Sequence, residues 1–318
     1  MSLLPVTLET IRSAQKRIAG IAFRTPLVRL NYEEDRGEIY LKLESLQPIG
    51  SFKLRGAGNA MEKAGLERLA GGVITASAGN MAQGVAWNAK RLGVRCTVVV
   101  PDHAPETKLA AIKRLGGEII KVPFDEWWNV MVTHRFEGAS GLFIHPVVNS
   151  DVIAGNGTIG LEILEDLPDV TDVLVPYGGG GLSCGIATAI LSQKPEAAIH
   201  ACEVETAAPF AASLRAGEPV EMQYTPSFVD GIGGKTVLKE MWEMASSLLS
   251  DSIIVSLSEI ASAIRLLLER NHVVAEGAGA ASVAAALKGP LRGKKIVCVI
   301  SGGNIDSAKL VQILSGEM

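Results

Sequence analysis

Short apolar runs alternate with longer amphipathic ones along most of the chain. The short runs predict strands at Ile39–Leu43, Val73–Thr75, Thr97–Val100, Ile119–Val122, Leu142–Ile144, Val173–Val175, Ile199–Val204 and Ile296–Ile300. Helical spacing of apolar residues falls near Ser51–Ala64, Met81–Leu92, Glu106–Leu115, Thr158–Leu164, Leu182–Leu191, Ser258–Arg270 and Gly277–Leu287. Strands that are apolar on both faces and alternate with helices predict an α/β fold, its mainly parallel sheet covered by helices on each side. No fixed-period repeat and no Ser/Pro-rich linker interrupts the pattern, so any division into two domains is made through short loops. Ligands of such sheets collect beyond the carboxyl ends of the strands, which directs attention to the strand-to-helix junctions.

One stretch departs from the alternation. Residues 173–193 carry no charge, a run long enough to cross a bilayer. It contains Pro176 and the consecutive glycines Gly178–Gly181, each costing a helix about 1 kcal/mol relative to Ala, so it reads as strand, loop and helix rather than as a membrane span. Gly occurs 34 times in 318 residues, against roughly 22 at the average usage of about 7%.

Charge and cysteine usage narrow the function. Lys plus Arg number 30 against 34 Asp plus Glu, a net charge of −4 without the basic field that nucleic acid demands. A hydrophobic fraction of 47% supplies a large core and excludes a disordered chain. The start, MSLLPVTLETIRSAQKR, lacks a basic flank followed by a sustained apolar stretch, so the expected location is cytoplasmic. Cys96, Cys184, Cys202 and Cys298 show no C-x-x-C spacing, and the five His form no H-x-x-x-H pair, so neither a disulfide framework nor a zinc site is expected.

Four junctions are rich in Gly, Ser and Asn. After Val73–Thr75 comes Ala76-Ser77-Ala78-Gly79-Asn80 ahead of a helix starting at Met81; it suits either a carboxylate or phosphate on free N–H groups or an ordinary N-cap. After Val173–Val175 come Gly178–Gly181, which let backbone N–H groups close around a phosphate because no Cβ blocks the approach. Apolar flanks argue against a flexible linker there. After Val297–Ile300 comes Ser301-Gly302-Gly303-Asn304, where the hydroxyl either meets a ring nitrogen of a ligand or caps the next helix. Finally, Gly50-Ser51-Phe52-Lys53-Leu54-Arg55-Gly56 holds a Lys that is either a surface residue or a desolvated amine able to form a Schiff base.

Two further patterns compete. Gly181-Leu182-Ser183-Cys184-Gly185 matches G-x-S-x-G, with Asp230 and His272 following in the order of an α/β-hydrolase triad, and makes a serine hydrolase using Ser183 the reading of a different class. Gly155-Asn156-Gly157-Thr158-Ile159-Gly160 matches G-x-G-x-x-G behind a weak strand at Asp151–Ala154, but no acidic residue ends a second strand about 20 residues later, as ribose recognition requires.

Taken together, Ser51–Gly56, Thr75–Asn80, Ala154–Ile163, Gly178–Leu182 and Ser301–Asn304 resemble the fold-type II pyridoxal-phosphate enzymes, in particular the short threonine/serine dehydratases (threonine ammonia-lyases) and the serine racemases. The matches run in that family's order over nearly the whole chain. The resemblance implies a tryptophan synthase beta-like fold of two domains, a larger one from residues 1–71 and 149–318 and a smaller inserted one at 72–148, with no C-terminal regulatory domain. It implies pyridoxal 5'-phosphate held covalently by Lys53, stacked by Phe52, hydrogen-bonded by Asn80, anchored through its phosphate by Gly178, Gly179, Gly180 and Gly181, and met at the ring nitrogen by Ser301. The substrate would lie on Ser77, Ala78, Gly79, Asn80 and Met81, and a homodimer acting on a small amino acid is implied, with neither nucleic acid nor membrane as partner.

Departures from the pattern refine the expectation. Racemases of the family carry a second Ser where this chain has Ala78, which favours α,β-elimination of water over racemisation. Met81 stands where many relatives have His, and Val147-Val148 follow His145-Pro146 where dehydratases often have Phe-Asp, so the pocket is expected to extend to a bulkier substrate such as phenylserine. Of the family's divalent-cation ligands, Glu203 and the carbonyl of Ala207 fit, but Pro209 replaces an acid, so weak or absent Mg2+ dependence is expected.

Overall fold

The computed structural model describes residues 3–32, 37–288, 291 and 294–318. Its first half runs α1 (Leu8–Arg17), β1 (Leu27–Arg29), β2 (Glu38–Leu43), α2 (Lys53–Leu69), β3 (Val73–Ala76), α3 (Asn80–Leu92), β4 (Cys96–Pro101), α4 (Glu106–Arg114), β5 (Glu118–Val122), α5 (Phe124–Thr133) and β6 (Leu142–Phe143). The second half runs α6 (Ser150–Asp166), β7 (Asp172–Pro176), α7 (Gly181–Leu191), β8 (Ala198–Val204), α8 (Pro209–Ala216), α9 (Lys239–Leu248), β9 (Asp251–Val255), α10 (Leu257–Asn271), α11 (Gly277–Lys288), β10 (Lys295–Ile300) and α12 (Ser307–Leu314).

Two sheets result. The larger has six strands in the order β1-β2-β10-β7-β8-β9, parallel except for β1 against β2, and the smaller has four parallel strands in the order β5-β4-β3-β6. Alternate side chains divide each strand between two cores. Val173, Val175, Val297 and Val299 join the layer under α1, α6, α7 and α9, while Leu174, Ile296, Cys298 and Ile300 join the layer under α10, α11 and α12. In the small sheet Val98 and Val100 face the helices α2, α3 and α4, and Val99 faces α5. The uncharged stretch of residues 173–193 is thus a strand and a helix joined by a glycine loop, and among the described residues no helix is long and apolar enough to cross a membrane.

Strands β1 and β9 escape the sequence pattern because β1 has three residues and β9 is a half-exposed edge. The segment Gly155–Gly160 corrects the sequence reading. Residues Asp151–Ala154 form no strand, and the whole motif lies inside α6, where its glycines bring helices together rather than turn the chain. A Cβ on Gly155 would stand 2.6 Å from the Arg55 carbonyl oxygen, and one on Gly157 would stand 2.8 Å from that of Gly185. From the other side, a Cβ on Gly185 would stand 2.5 Å from the Ile153 carbonyl oxygen. Close packing of α2 on α6 and of α6 on α7 sets the start of α2 beside the loop that precedes α7.

A buried ion network holds the same place from behind. Arg55 donates to both oxygens of Glu44 (2.8 Å each) and to both of Glu162 (2.6 and 2.9 Å). Lys42 meets Glu162 at 2.6 Å, and the Thr25 hydroxyl donates to Glu44 at 2.6 Å. Two buried cations thus face two buried carboxylates, the pairing without which such burial would be prohibitive.

Candidate active site

A cavity of about 490 Å3 opens where β3, β7 and β10 end, between the two sheets. The structure brings the sequence-predicted residues to its wall: Phe52 and Lys53, the segments Ser77–Met81 and Gly178–Gly181, and Ser301.

Lys53 opens α2 behind Phe52, which has helical dihedrals but no side-chain cap. Its Nζ donates to the Pro146 carbonyl oxygen at 3.3 Å and lies 5.0 Å from the centre of the Phe52 ring. Burial lowers this amine to about 8, against the carboxylate of Glu276, which pulls it upward. The turn carrying Pro146 is fixed by His145, whose Nδ1 accepts the N–H groups of Val147 (3.0 Å) and Val148 (2.7 Å). Burial pushes that imidazole down to about 3, so it stays neutral and can accept.

Two helices point their N-termini into the cavity. In α7 the N-cap is Gly180, in the left-handed region at φ 88°, and no side chain caps the helix. The N–H groups of Gly178 to Ser183 find no acceptor among the described residues. A Cβ on Gly179 would stand 2.5 Å from a Val147 methyl, so the loop passes here only as glycine. In α3 the N-cap Gly79 also lacks a side-chain cap, its N–H donates to Ser77 Oγ at 3.2 Å, and the N–H groups of Asn80, Met81 and Ala82 are left open. Free N–H groups together with the helix dipole make each terminus a site for an anion.

Ser301 follows β10 with its hydroxyl in the wall, 3% exposed and without a hydrogen-bond partner among the described residues. Glu276 precedes α11 and is likewise buried. Asn80 Nδ2 donates to its Oε1 (2.9 Å) and Oε2 (3.2 Å). Burial raises this carboxyl to about 7, the hydrogen bond from Asn80 drawing it back and Asp230 adding to the rise. At the mouth, Lys108 of α4 meets Asp230 at 2.5 Å.

Sequence reasoning missed Glu276, Lys108 and the apolar wall formed by Trp127 and Met131. Glu276 left one signal, for it is the lone charge between residues 273 and 287. Trp127 and Met131 left none, since α5 was not recognised.

The serine-hydrolase reading is corrected. Ser183 is no nucleophile: it lies inside α7, fully buried, and its hydroxyl donates to the Gly180 carbonyl oxygen at 3.1 Å. His272 is an exposed C-cap of α10, and Asp230 is engaged with Lys108, so no triad forms. Glu203 and Ala207 lie outside the cavity wall. The Glu203 carboxylate accepts the N–H groups of Phe210 (2.9 Å) and Ala211 (2.7 Å) and the Ser252 hydroxyl (2.6 Å), so it caps α8, and the described residues hold no cluster of three metal-binding side chains.

Comparison with known proteins places this geometry. The family model described as pyridoxal-phosphate dependent enzyme matches residues 18–302. The L-threonine ammonia-lyase of Thermotoga maritima is 43% identical over 315 residues, which cover 98% of this chain and 78% of that one. The catabolic L-threonine dehydratase TdcB of Escherichia coli K12 is 40% identical over 318 residues, covering 98% of this chain and 96% of that one. Among solved structures, maize serine racemase superposes with a TM-score of 0.90 at 32% identity, covering 99% of this chain and 98% of the other.

Proposed function

The chain belongs to the pyridoxal-phosphate-dependent enzymes, and from that premise we propose that it is a dehydratase, or ammonia-lyase, which eliminates water from a β-hydroxy amino acid to give a 2-oxo acid and ammonia. The observation that carries the reading is the convergence on one cavity of two uncapped helix N-termini, a desolvated lysine amine and an unpartnered hydroxyl. These groups fit the cofactor: six successive N–H groups without acceptors suit its phosphate, Lys53 its aldehyde, and Ser301 its ring nitrogen.

Pyridoxal phosphate, when bound, supplies a conjugated ring that withdraws electrons from the substrate's α-carbon. The open N–H groups of Gly178–Ser183 would hold the phosphate, Phe52 would lie against the ring, and Asn80 would donate to the ring oxygen. The Ser301 hydroxyl can share a proton with the ring nitrogen but lacks the charge to hold it protonated, which favours prompt loss of a β-substituent over longer-lived carbanion chemistry. The open end of α3 would hold the substrate carboxylate on the free amides of Ser77, Ala78, Asn80 and Met81, beside Gly79 and the Ser77 hydroxyl that Gly79 caps, and Lys53 Nζ would take the α-proton. Ala78 brings no acid or base to the cavity wall, so racemisation is expected to be slower than elimination.

Met81, Trp127, Met131 and Val147 give the cavity an apolar wall, which supports a β-substituent larger than the methyl of threonine. On the same reading residues 72–148 are the smaller unit and residues 1–71 and 149–318 the larger, and the protein is a cytoplasmic homodimer whose dependence on Mg2+ is weak or absent. Purified protein is expected to absorb in the visible range, and borohydride is expected to fix the chromophore to Lys53 as found by peptide mass. A 2-oxo acid assay across threonine, serine and phenylserine then tests the substrate. Turnover of phenylserine at or below that of threonine would remove the bulky-substrate reading, and D-serine formed from L-serine as fast as pyruvate would replace elimination with racemisation.

A further inference from the structure

Asn80 is held from both sides. Its Oδ1 accepts from Asn304 Nδ2 at 2.8 Å, and its Nδ2 donates to Glu276. Asn304 is fixed in turn, because its Nδ2 also donates to the Ile49 carbonyl oxygen at 2.8 Å. Rotating the Asn304 amide by half a turn would set its oxygen against that carbonyl, and rotating Asn80 would set Oδ1 against the Glu276 carboxylate. Each amide therefore has one tolerable orientation. An amide nitrogen carries two hydrogens, and Glu276 engages one of those on Asn80. The Glu276 side chain reaches its place through gaps left by two glycines, since a Cβ would stand 2.7 Å from Oε1 on Gly302 and 3.3 Å from it on Gly231.

We propose that Glu276 and Asn304 are positioning residues that lock the Asn80 amide so that a hydrogen-bond donor, never its carbonyl oxygen, is turned to the oxygen of the bound ring. This deepens the functional reading above and rests on it. The lock works through hydrogen-bond polarity rather than charge, because a glutamine at 276 still offers an acceptor to Asn80. That separates it from a role as an acid or base, which a glutamine would abolish.

The test compares binding of pyridoxal phosphate and of 3-deoxypyridoxal phosphate, which lacks the ring oxygen, to the full chain stripped of cofactor, followed by tryptophan fluorescence. One hydrogen bond to a charged oxygen is worth about tenfold in affinity, so the wild-type chain is expected to prefer pyridoxal phosphate by about that factor. Asn304→Asp and Glu276→Leu are expected to bring the preference to about one, as Asn80→Ala does, while Glu276→Gln keeps most of it. Because the readout is a ratio within each variant, general weakening of the fold lowers both affinities and leaves the ratio. If Asn304→Asp does not fold, Asn304→Ser replaces it. A full preference persisting in both Asn304→Asp and Glu276→Leu, a wild-type chain without preference, or a loss in Glu276→Gln equal to that in Glu276→Leu would overturn the lock. A wild-type chain that binds neither compound would instead overturn the functional reading beneath it.

Discussion

Burial makes the Lys53 amine easier to deprotonate than a solvated lysine. Among the described residues its Nζ has one hydrogen-bond acceptor, the Pro146 carbonyl oxygen, and burial lowers it from 10.5 to about 8. Only the neutral amine attacks an aldehyde, so capture of pyridoxal phosphate by the stripped protein should accelerate about tenfold per pH unit below 8 and level off above it. Stopped-flow absorbance between pH 6 and pH 10 measures this, and a rate still climbing at pH 10 would mean an ordinary solvated lysine. The same displacement makes the unfolded chain the stronger proton binder between about 8 and 10.5, so this group's contribution to stability rises with pH across that window. Legibility at this scale depended on local pattern. Lys53, Ser301 and the Gly178–Gly181 loop sit in motifs that can be read from their neighbours, whereas Glu276 reaches its partner Asn80 across 196 positions, and nothing in a linear pattern reports such a pairing.

At the level of elements, most strands and the helices between them could be read from periodicity, because strands covered on both faces are apolar throughout and end in recognisable glycine junctions. The failure at α6 has a specific cause. Gly155, Gly157 and Gly160 cost helix propensity, which in isolation argues for a loop, but tertiary packing overrides it: their missing side chains let α2 and α7 approach the α6 backbone. Gly185 makes the reciprocal contact from α7 and gives the sharpest test. An alanine Cβ there would lie 2.5 Å from the Ile153 carbonyl oxygen, a backbone atom that moves only if the helices separate. Gly185→Ala is expected to lower stability by about 1–3 kcal/mol and, by shifting α7 with its N-terminal loop, to weaken pyridoxal phosphate binding as well. Thermal melts of stripped protein with and without cofactor check both effects, and an unchanged melting temperature would mean that the glycine is not there for packing. α8 likewise escaped notice because its cap, Glu203, comes from the end of β8 rather than from the residue before the helix.

At the scale of the whole molecule, two sheets meet at a cavity whose wall combines segments drawn from residue 52 to residue 301. Strand order was not legible, since β10 returns from the far end of the chain to lie between β2 and β7, a pairing that periodicity does not encode. Besides the Asn80 links to Glu276 and Asn304, the Lys108–Asp230 ion pair joins the two sides at the mouth, between α4 on the small-sheet side and the loop before α9 on the large-sheet side. With the two side chains 30% and 54% exposed, such a pair adds little to global stability. The effect expected of it falls on substrate binding at the mouth rather than on the fold. Lys108→Met should leave the melting temperature within about 2 °C, since a partly exposed pair contributes no more than about 1 kcal/mol. It should raise KM several-fold while kcat changes less than twofold, because none of the groups that hold or move the α-proton is touched. Salt gives the independent check. The KM of the unmodified protein should rise between low ionic strength and about 0.3 M sodium chloride, where the screening length falls below about 8 Å. The KM of Lys108→Met should rise less over the same range, and equal salt dependence in the two proteins would mean that the pair contributes nothing to closing the mouth.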